Sequence, residues 1–459
     1  MLFAACTGST GPAGQNGQNG QNGSNGSNGT NGNDIILSER AKIGLDIAPV
    51  ALKLDGKTGP EIEAIGQGSY WVNAVIDCSG CHSGQVGYLS GGNKFPFDAD
   101  GDFVVSRNLT PDPTGLMLSE ADFLTAMQTG KDFSTANEIM IVMPWLNFRW
   151  MHEDDLKAIY AYLKVIPAVA NPNMADSKGP AKALTPIPLP SAYDRGAQTR
   201  ALLPEKDFMG NKIPDPDGTI RGYEVNPLPD PDDYPFFTGQ HTASFGRGSY
   251  LVNAAACNDC HTNPPYGTVP GPDFLRTTTT AFLTGGDVFV TPTGLGPVFG
   301  TTRSMSANII GSNGFLWEPG MNFSLFQEII ATGTHFDDDP PTPLAWPMPW
   351  DHFRNMTASD QAALYDYLTD LAFDVSNGPT KNTITQGPAL YCDSTHTCPG
   401  GMTCHMGGGT PDLGNECVGN DCTSDADCGA CQRCDTTTTQ KCVAPDDQAH
   451  IGCALGAGI

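Results

Sequence analysis

No run in this 459-residue sequence approaches the ~20 consecutive apolar residues of a bilayer-spanning helix, so a membrane span of that kind is not expected. Positive charge is scarce: 24 Lys and Arg stand against 50 Asp and Glu, for a formal charge of −26. A chain without a basic face is a poor binder of phosphate backbones, which argues against nucleic acid as a partner. The acidity points instead to a solvated surface attracted to basic partners. Charged residues (16%) and aromatics (8%) are both few, and 39% hydrophobic content is lean for one large core. The 54 Gly and 37 Pro assign much of the length to loops and linkers. About three domains are expected, at one per ~150 residues.

The N-terminus lacks the charged region and most of the apolar region of an export signal. It nevertheless reads Met1-Leu2-Phe3-Ala4-Ala5-Cys6, with small residues directly before a lone cysteine, as at a lipoprotein cleavage site. Lipidation of Cys6 is the expectation, and with it an exported protein, in the periplasm or at the cell surface, anchored to the outer membrane. Glycine then recurs at every third position from Gly8 to Gly32, but Pro12 is the only proline in the run. A collagen triple helix draws its rigidity from imino acids. Residues 1–34 therefore read as a signal remnant and a disordered Gly-x-y tether.

The other cysteines fall into two pairs, Cys78 with Cys81 and Cys257 with Cys260, and a cluster of ten from Cys392 to Cys453. That cluster sits among Gly, Asp and Thr, with too little apolar content for a core. Residues 376–459 therefore read as a disulfide module, which needs an oxidising compartment.

From about residue 60 the chain repeats itself. Gly68-Ser69-Tyr70-Trp71-Val72-Asn73-Ala74 matches Gly248-Ser249-Tyr250-Leu251-Val252-Asn253-Ala254. Ser106-Arg107-Asn108-Leu109 matches Ser306-Ala307-Asn308-Ile309. Helical stretches end at Thr129-Gly130 and Thr332-Gly333, the first opened by a capping signal, Ser119 with Asp122. Met143-Pro144-Trp145 matches Met348-Pro349-Trp350, with Phe148-Arg149 matching Phe353-Arg354. Each copy closes with a helical spacing of apolar residues: Leu156, Ile159, Tyr160 and Leu163, then Leu364, Tyr365 and Leu368. Pro167 ends the first of these helices. Between the copies, residues 171–240 form a Pro- and Asp-rich linker.

The chemistry lies in Cys78-Ser79-Gly80-Cys81-His82 and its twin Cys257-Asn258-Asp259-Cys260-His261. Cys-x-x-Cys-His is the attachment pattern of c-type haem. Two thiols add to the two vinyl groups on one porphyrin edge, and the next residue supplies the proximal imidazole. A single motif can be accidental or hold zinc; two, each inside a matching repeat, point to haem. Met143 and Met348 stand at equivalent places and are the candidates for the sixth iron ligand, with Met140, His152 and His335 as rivals. His152 aligns with Thr357 and reads as a cap or surface residue. Asn108 and Asn308 suit either a propionate contact or an ordinary turn. Arg149 and Arg354 suit either a propionate or solvent. Trp145 and Trp350 read as packing that excludes water.

Both repeats resemble class I cytochrome c domains, and more narrowly the tandem domains of cytochrome subunits in bacterial membrane-associated dehydrogenases. The residues that carry the resemblance are the Gly-Ser-Tyr-x-Val-Asn-Ala runs, Asn108-Leu109-Thr110-Pro111-Asp112 and the two Met-Pro-Trp triplets. It implies a mainly α fold: a cytochrome c domain over 35–170, a second over 241–375, and the tether and Cys-rich tail outside them. It implies covalent haem on Cys78, Cys81 and His82 with Met143 distal, and a second on Cys257, Cys260 and His261 with Met348 distal. The second repeat departs from the first in having Ile310-Gly311-Ser312 for Thr110-Pro111-Asp112. The function expected is that of an electron carrier rather than an enzyme, relaying single electrons between a redox donor and acceptor. A dehydrogenase or a basic cytochrome is the kind of partner implied. Two other readings stand beside it: a di-haem peroxidase, and a surface-binding lipoprotein that works through its Cys-rich tail.

Overall fold

The computed structural model describes residues 36–371 apart from 85, 97–102, 134–138, 141, 175, 178–191, 196–197, 203, 228–241, 263–281, 287, 291–302, 311–314, 318–319, 336–341 and 345–347; beyond 389 it describes only five short strands. Cys6, the Gly-x-y run and most of the Cys-rich tail lie outside the described residues. In that tail, strands Met402–His405 and Glu416–Gly419 pair with Cys404 opposite Cys417, and Arg433–Cys434 and Cys442–Val443 pair with Cys434 opposite Cys442. No helix among the described residues is long and apolar enough to cross a membrane.

The fold is mainly helical, with short two-stranded pairs between helices. In the first repeat, α1 (Glu39–Ile47) is capped by Ser38, whose Oγ accepts from Ala41 N at 3.1 Å. Helix α2 (Gly59–Tyr70) starts at Pro60 and at Glu61, whose side chain accepts from both the backbone N and the Oγ1 of Thr58. This satisfies donors that a helix start leaves open. α2 runs on through a π-helical turn, Trp71–Val75, into α3 (Cys78–His82). Strands β1 (Lys94–Pro96) and β2 (Phe103–Val105) pair antiparallel. Then follow α4 (Glu120–Thr129), α5 (Trp145–Phe148) and α6 (Glu153–Leu163). The capping signal at Ser119 is realised, with its Oγ accepting from Asp122 N. Leu156, Ile159 and Leu163 are buried, and Tyr160 lies at the edge with its hydroxyl donating to the Leu118 carbonyl.

The linker contains a hairpin, β3 (Ala192–Arg195) with β4 (Gln198–Ala201), and a helix, α7 (Thr219–Glu224). The second repeat follows: α8 (Thr242–Ala254), α9 (Cys257–His261), β5 (Val288–Val290) paired with β6 (Arg303–Met305), α10 (Phe323–Thr332), α11 (Trp350–Phe353) and α12 (Ala358–Asp370). Helix α7 stands to α8 as α1 stands to α2. Ser69 Oγ donates to the Gly44 carbonyl at 2.5 Å, and Ser249 Oγ donates to the Gly222 carbonyl at 2.7 Å. The linker segment also touches both repeats: Tyr367 Oη donates to Asn226 Oδ1, and Arg221 Nη1 donates to the Trp150 carbonyl.

The repeated Gly-Ser-Tyr-x-Val-Asn run divides its work residue by residue. Gly68 and Gly248 let the closing helices cross closely: a Cβ there would sit 1.9 Å from the Ala158 carbonyl oxygen and 2.0 Å from that of Ala363. Ser69 and Ser249 hold the preceding helix. Asn73 and Asn253 donate Nδ2 back to the Ser69 and Ser249 carbonyls. The tyrosines cross between repeats. Tyr70 Oη donates to Asp360 Oδ2 at 2.8 Å, and Tyr250 Oη donates to Asp155 Oδ2 at 2.6 Å. Each hydroxyl also accepts a backbone N–H at the start of the other repeat's closing helix, Thr357 N at 2.9 Å and His152 N at 2.8 Å.

The two halves of this exchange differ in charge. Asp360, fully buried, takes two guanidinium groups, Arg247 (2.9 and 2.8 Å) and Arg40 (3.0 and 2.8 Å). Asp155 takes the indole N–H of Trp71 at 2.9 Å. The Arg247 guanidinium lies 5.3 Å from the Trp71 ring centroid and 5.7 Å from that of Tyr250, and the two rings meet edge-on. Buried apolar side chains of both repeats form one contiguous core.

Candidate functional site

Each Cys-x-x-Cys-His helix starts from a residue in the left-handed region, Asp77 (φ 42°) and Ala256 (φ 56°). Asp77 then caps α3, its Oδ1 accepting from Gly80 N at 2.8 Å. One turn of helix puts the two cysteines, three apart, on one face with the histidine following. Cys78, Cys81 and Cys257 are free thiols. Burial, with Asp77 beside the first pair and Asp259 beside the second, pushes Cys81 up to about 11, Cys257 up to about 12 and Cys78 higher still. These are protonated thiols, unlike the low-pKa thiolates of redox Cys-x-x-Cys motifs.

The histidines are held alike. His82 Nδ1 lies 2.7 Å from the Arg107 carbonyl oxygen, and His261 Nδ1 lies 2.8 Å from that of Ala307. A carbonyl only accepts, so Nδ1 carries the proton and the Nε2 lone pair is left for a metal. Burial lowers the pKa of both rings, which keeps them in the neutral, ligating form.

Those carbonyls are placed by a loop that sequence reasoning passed over, Leu89-Ser90-Gly91-Gly92 and its counterpart Leu283-Thr284-Gly285-Gly286. Gly91 N donates to the His82 carbonyl at 2.7 Å, and Gly285 N donates to the His261 carbonyl at 2.6 Å. Gly92 N and Gly286 N donate to the Ser106 and Ser306 carbonyls. Leu109 N and Ile309 N return bonds to the Leu89 and Leu283 carbonyls. Leu89 (φ 53°) and Leu283 (φ 59°) share an unusual backbone for a branched residue, with Gly91 (φ 67°) and Gly285 (φ 75°) beyond them. A Cβ on Gly91 would lie 2.5 Å from the Arg107 carbonyl carbon, and one on Gly285 would lie 2.4 Å from that of Ala307. The repeated Leu-(Ser/Thr)-Gly-Gly was the available signal.

The methionine loops are seated on the glycines that end α4 and α10. Gly130 and Gly333 are left-handed (φ 72° and 68°), and the rings of Trp145 and Trp350 lie against them, 2.4 and 2.3 Å from where a Cβ would be. Trp145 N and Trp350 N donate to the Met143 and Met348 carbonyls. Met143, Met348, Cys78 and Cys257 are all partly buried against the one shared core.

Of the rivals, Met140 gives its carbonyl to Trp145 Nε1 at 2.8 Å, and the His335 side chain lies outside the described residues. His152 takes the N-cap position of α6, as expected, but its ring is turned inward and makes no cap bond. Its ring meets Asp215 Oδ2 at 2.8 Å and Glu205 Oε1 at 3.3 Å. Asn108 Oδ1 accepts from Thr110 N and Asn308 Oδ1 accepts from Ile310 N, which is the turn role; Asn108 Nδ2 also donates to the Val169 carbonyl. Arg149 is buried over the Trp145 and Trp150 rings, and its pKa falls to about 10 through burial, whereas Arg354 is exposed. Among the described residues no group of three or more His, Cys, Asp or Glu side chains is placed to hold a metal ion between them. Paired thiols and a neutral imidazole with Nε2 available fit a covalently held haem.

The His152 cage carries a pH dependence. Burial alone would lower the imidazole pKa; hydrogen bonds to Asp215 and Glu205 outweigh it and raise the pKa from 6.5 to about 9. The stabilisation is therefore complete below pH 6.5 and lost as pH rises through about 9, and it is worth up to about 3 kcal/mol. The stability gap between the protein and His152→Gln should close between pH 6.5 and 9.5 in denaturant titrations. A gap that stays constant over that range would contradict the cage.

No protein-family model matches the chain. Over 229 residues, 46% of its length, it is 27% identical to the cytochrome c subunit of alcohol dehydrogenase (quinone) from Gluconacetobacter polyoxogenes, and equally to that from Komagataeibacter europaeus. The matched stretch spans 40% of each of those relatives. Over somewhat less than half its length, then, this chain is similar to the cytochrome c subunits of quinone alcohol dehydrogenases.

Proposed function

We propose that this protein is a di-haem c-type cytochrome, two tandem cytochrome c domains that relay single electrons between protein partners without catalysing a bond change themselves. The observation that carries the reading is the doubled site: in each repeat a Cys-x-x-Cys-His turn ends in a half-buried imidazole whose Nδ1 is committed to a carbonyl. Haem, when bound, supplies the one-electron redox change. The chain's part is to attach it through Cys78 and Cys81, and through Cys257 and Cys260, and to ligate it through His82 and His261. Met143 and Met348 would supply the second protein ligand to each iron, a thioether that would raise the potential and close the iron to substrate. The likeness to dehydrogenase subunits favours a dehydrogenase as electron donor, and the charge of −26 favours a basic acceptor. The Cys6 lipid anchor and an exported location, periplasmic or at the cell surface, belong to the same proposal.

Met143→Ala and Met348→Ala test it. Each should keep two haems per chain, halve the weak far-red band that a methionine–iron bond gives ferric haem, and lower one of two potentials. A band unchanged by either substitution, or peroxide turnover by the unaltered protein, would overturn the closed-relay reading in favour of a peroxidase.

A further inference from the structure

The residue four places after each methionine reaches into the other repeat. His352, in α11, sets Nε2 2.9 Å from Asp77 Oδ1 and 3.4 Å from Ser79 Oγ, with Nδ1 3.0 Å from the Asn73 carbonyl oxygen. Asn147, in α5, donates Nδ2 to Asp259 Oδ1 at 2.8 Å. The acceptors belong to the two Cys-x-x-Cys-His turns. Asp77 Oδ1 is the same oxygen that takes Gly80 N and Ser79 Oγ, so it organises α3 while it holds His352. A carbonyl and a carboxylate face the two nitrogens of His352, and both accept. Both nitrogens therefore donate, which is the geometry of an imidazolium, and the pKa is raised accordingly, the Asp77 hydrogen bond and charge outweighing burial. Asn147 is the neutral counterpart.

We propose that His352 and Asn147 are positioning residues of a crossed clamp, in which the short helix after each methionine holds the attachment turn of the opposite haem, so that each site tunes the reduction potential of the other. This rests on the two-haem reading above. Haem potentials respond to hydrogen bonds and charge around the ligands. An imidazolium on Asp77 offsets a carboxylate beside Cys78. Without it, that negative charge favours the oxidised iron and lowers the potential of the haem on His82. Losing Asn147 exposes Asp259 beside Cys260 in the same sense, with a smaller effect because an amide carries no charge.

The experiment is a potentiometric titration of the full, haem-loaded chain after its haem content is measured, with Met143→Ala and Met348→Ala marking which wave belongs to which haem. His352→Ala should leave two haems bound and lower the wave of the His82 haem by about tenfold in its equilibrium constant, about 59 mV for one electron. Asn147→Ala should lower the His261 wave by less. His352→Gln, which keeps a donor and loses the charge, should fall between His352→Ala and the unaltered protein. With Asp77→Asn already present, His352→Ala should add little. Two bound haems with both waves unmoved, a shift confined to the His261 haem in His352→Ala, or an undiminished shift in the Asp77→Asn background would overturn the clamp alone. A chain that takes up fewer than two haems would overturn the two-haem reading and the clamp with it.

Discussion

Asp360→Ala is expected to destabilise the folded protein by about 3–5 kcal/mol, the cost of stranding buried charge. The carboxylate is fully buried and receives two bidentate guanidinium groups, from Arg40 on α1 and Arg247 on α8, together with the Tyr70 hydroxyl, while the Asp360 backbone N donates to the Thr357 Oγ1 cap. Burial alone would raise its pKa; Arg247 and Arg40 outweigh that and hold it far below the usual carboxylate range. That sign places the contribution above pH 3.8, with loss only as pH falls through the lower folded value, so the full effect is present at neutral pH. Asp155→Ala is the internal comparison. It breaks bonds to Trp71 Nε1 and the Tyr250 hydroxyl, for about 1–3 kcal/mol. Denaturant unfolding of the haem-loaded chain should therefore rank Asp360→Ala well below Asp155→Ala. Equal losses would mean that the guanidinium pair adds nothing to the inter-repeat contact.

Gly91→Ala should damage one site and spare the other. The added methyl meets the carbonyl carbon of Arg107, the residue whose oxygen holds His82 Nδ1, and it does so on a backbone with φ of 67°. Overpacking of this kind costs about 1–3 kcal/mol, and an alanine at positive φ adds to it. The larger consequence is chemical. Shifting that carbonyl removes the bond that fixes the His82 tautomer and ring angle, so under the proposed two-haem function the spectrum of the haem on His82 should change while that on His261 stays as it was. Gly285→Ala should do the reverse through Ala307. Gly56→Ala separates strain from collision, because Gly56 has φ of 75° with nothing within 4 Å of an added Cβ. If Gly56→Ala and Gly91→Ala cost the same and leave the same spectrum, close approach to Arg107 is not what the glycine serves.

What could be read from the chain alone was what sits close in sequence. Cys78, Cys81 and His82 share one helical turn, so their spacing is their geometry. Ser119 with Asp122 announces a helix start through groups three residues apart. The duplication was legible because one copy checks the other, and it singled out Tyr70 with Tyr250, Trp145 with Trp350 and the two Thr-Gly helix ends. Their roles were not legible. Tyr70 and Asp360 are 290 residues apart and Tyr250 and Asp155 are 95 apart, and each tyrosine bonds in the repeat it does not belong to. A motif says that a residue recurs, never which side chain it will meet. Helix α7 was hidden because six residues in a Pro- and Asp-rich segment have too few apolar positions to show a period, and packing on α8 stabilises it rather than its own propensity.

The sequence by itself determined which side chains share a turn, Cys78 with Cys81 and His82 and Cys257 with Cys260 and His261, since groups within one helical turn are placed locally. Only the tertiary structure decided how the two sites are supported. The carbonyls that orient His82 and His261 come from residues 25 and 46 positions away, and His352 and Asn147 reach across 273 and 112 positions to the opposite turns. Pairings at such separation depend on how whole helices dock, and helix docking is set by the shared core rather than by any short run of residues.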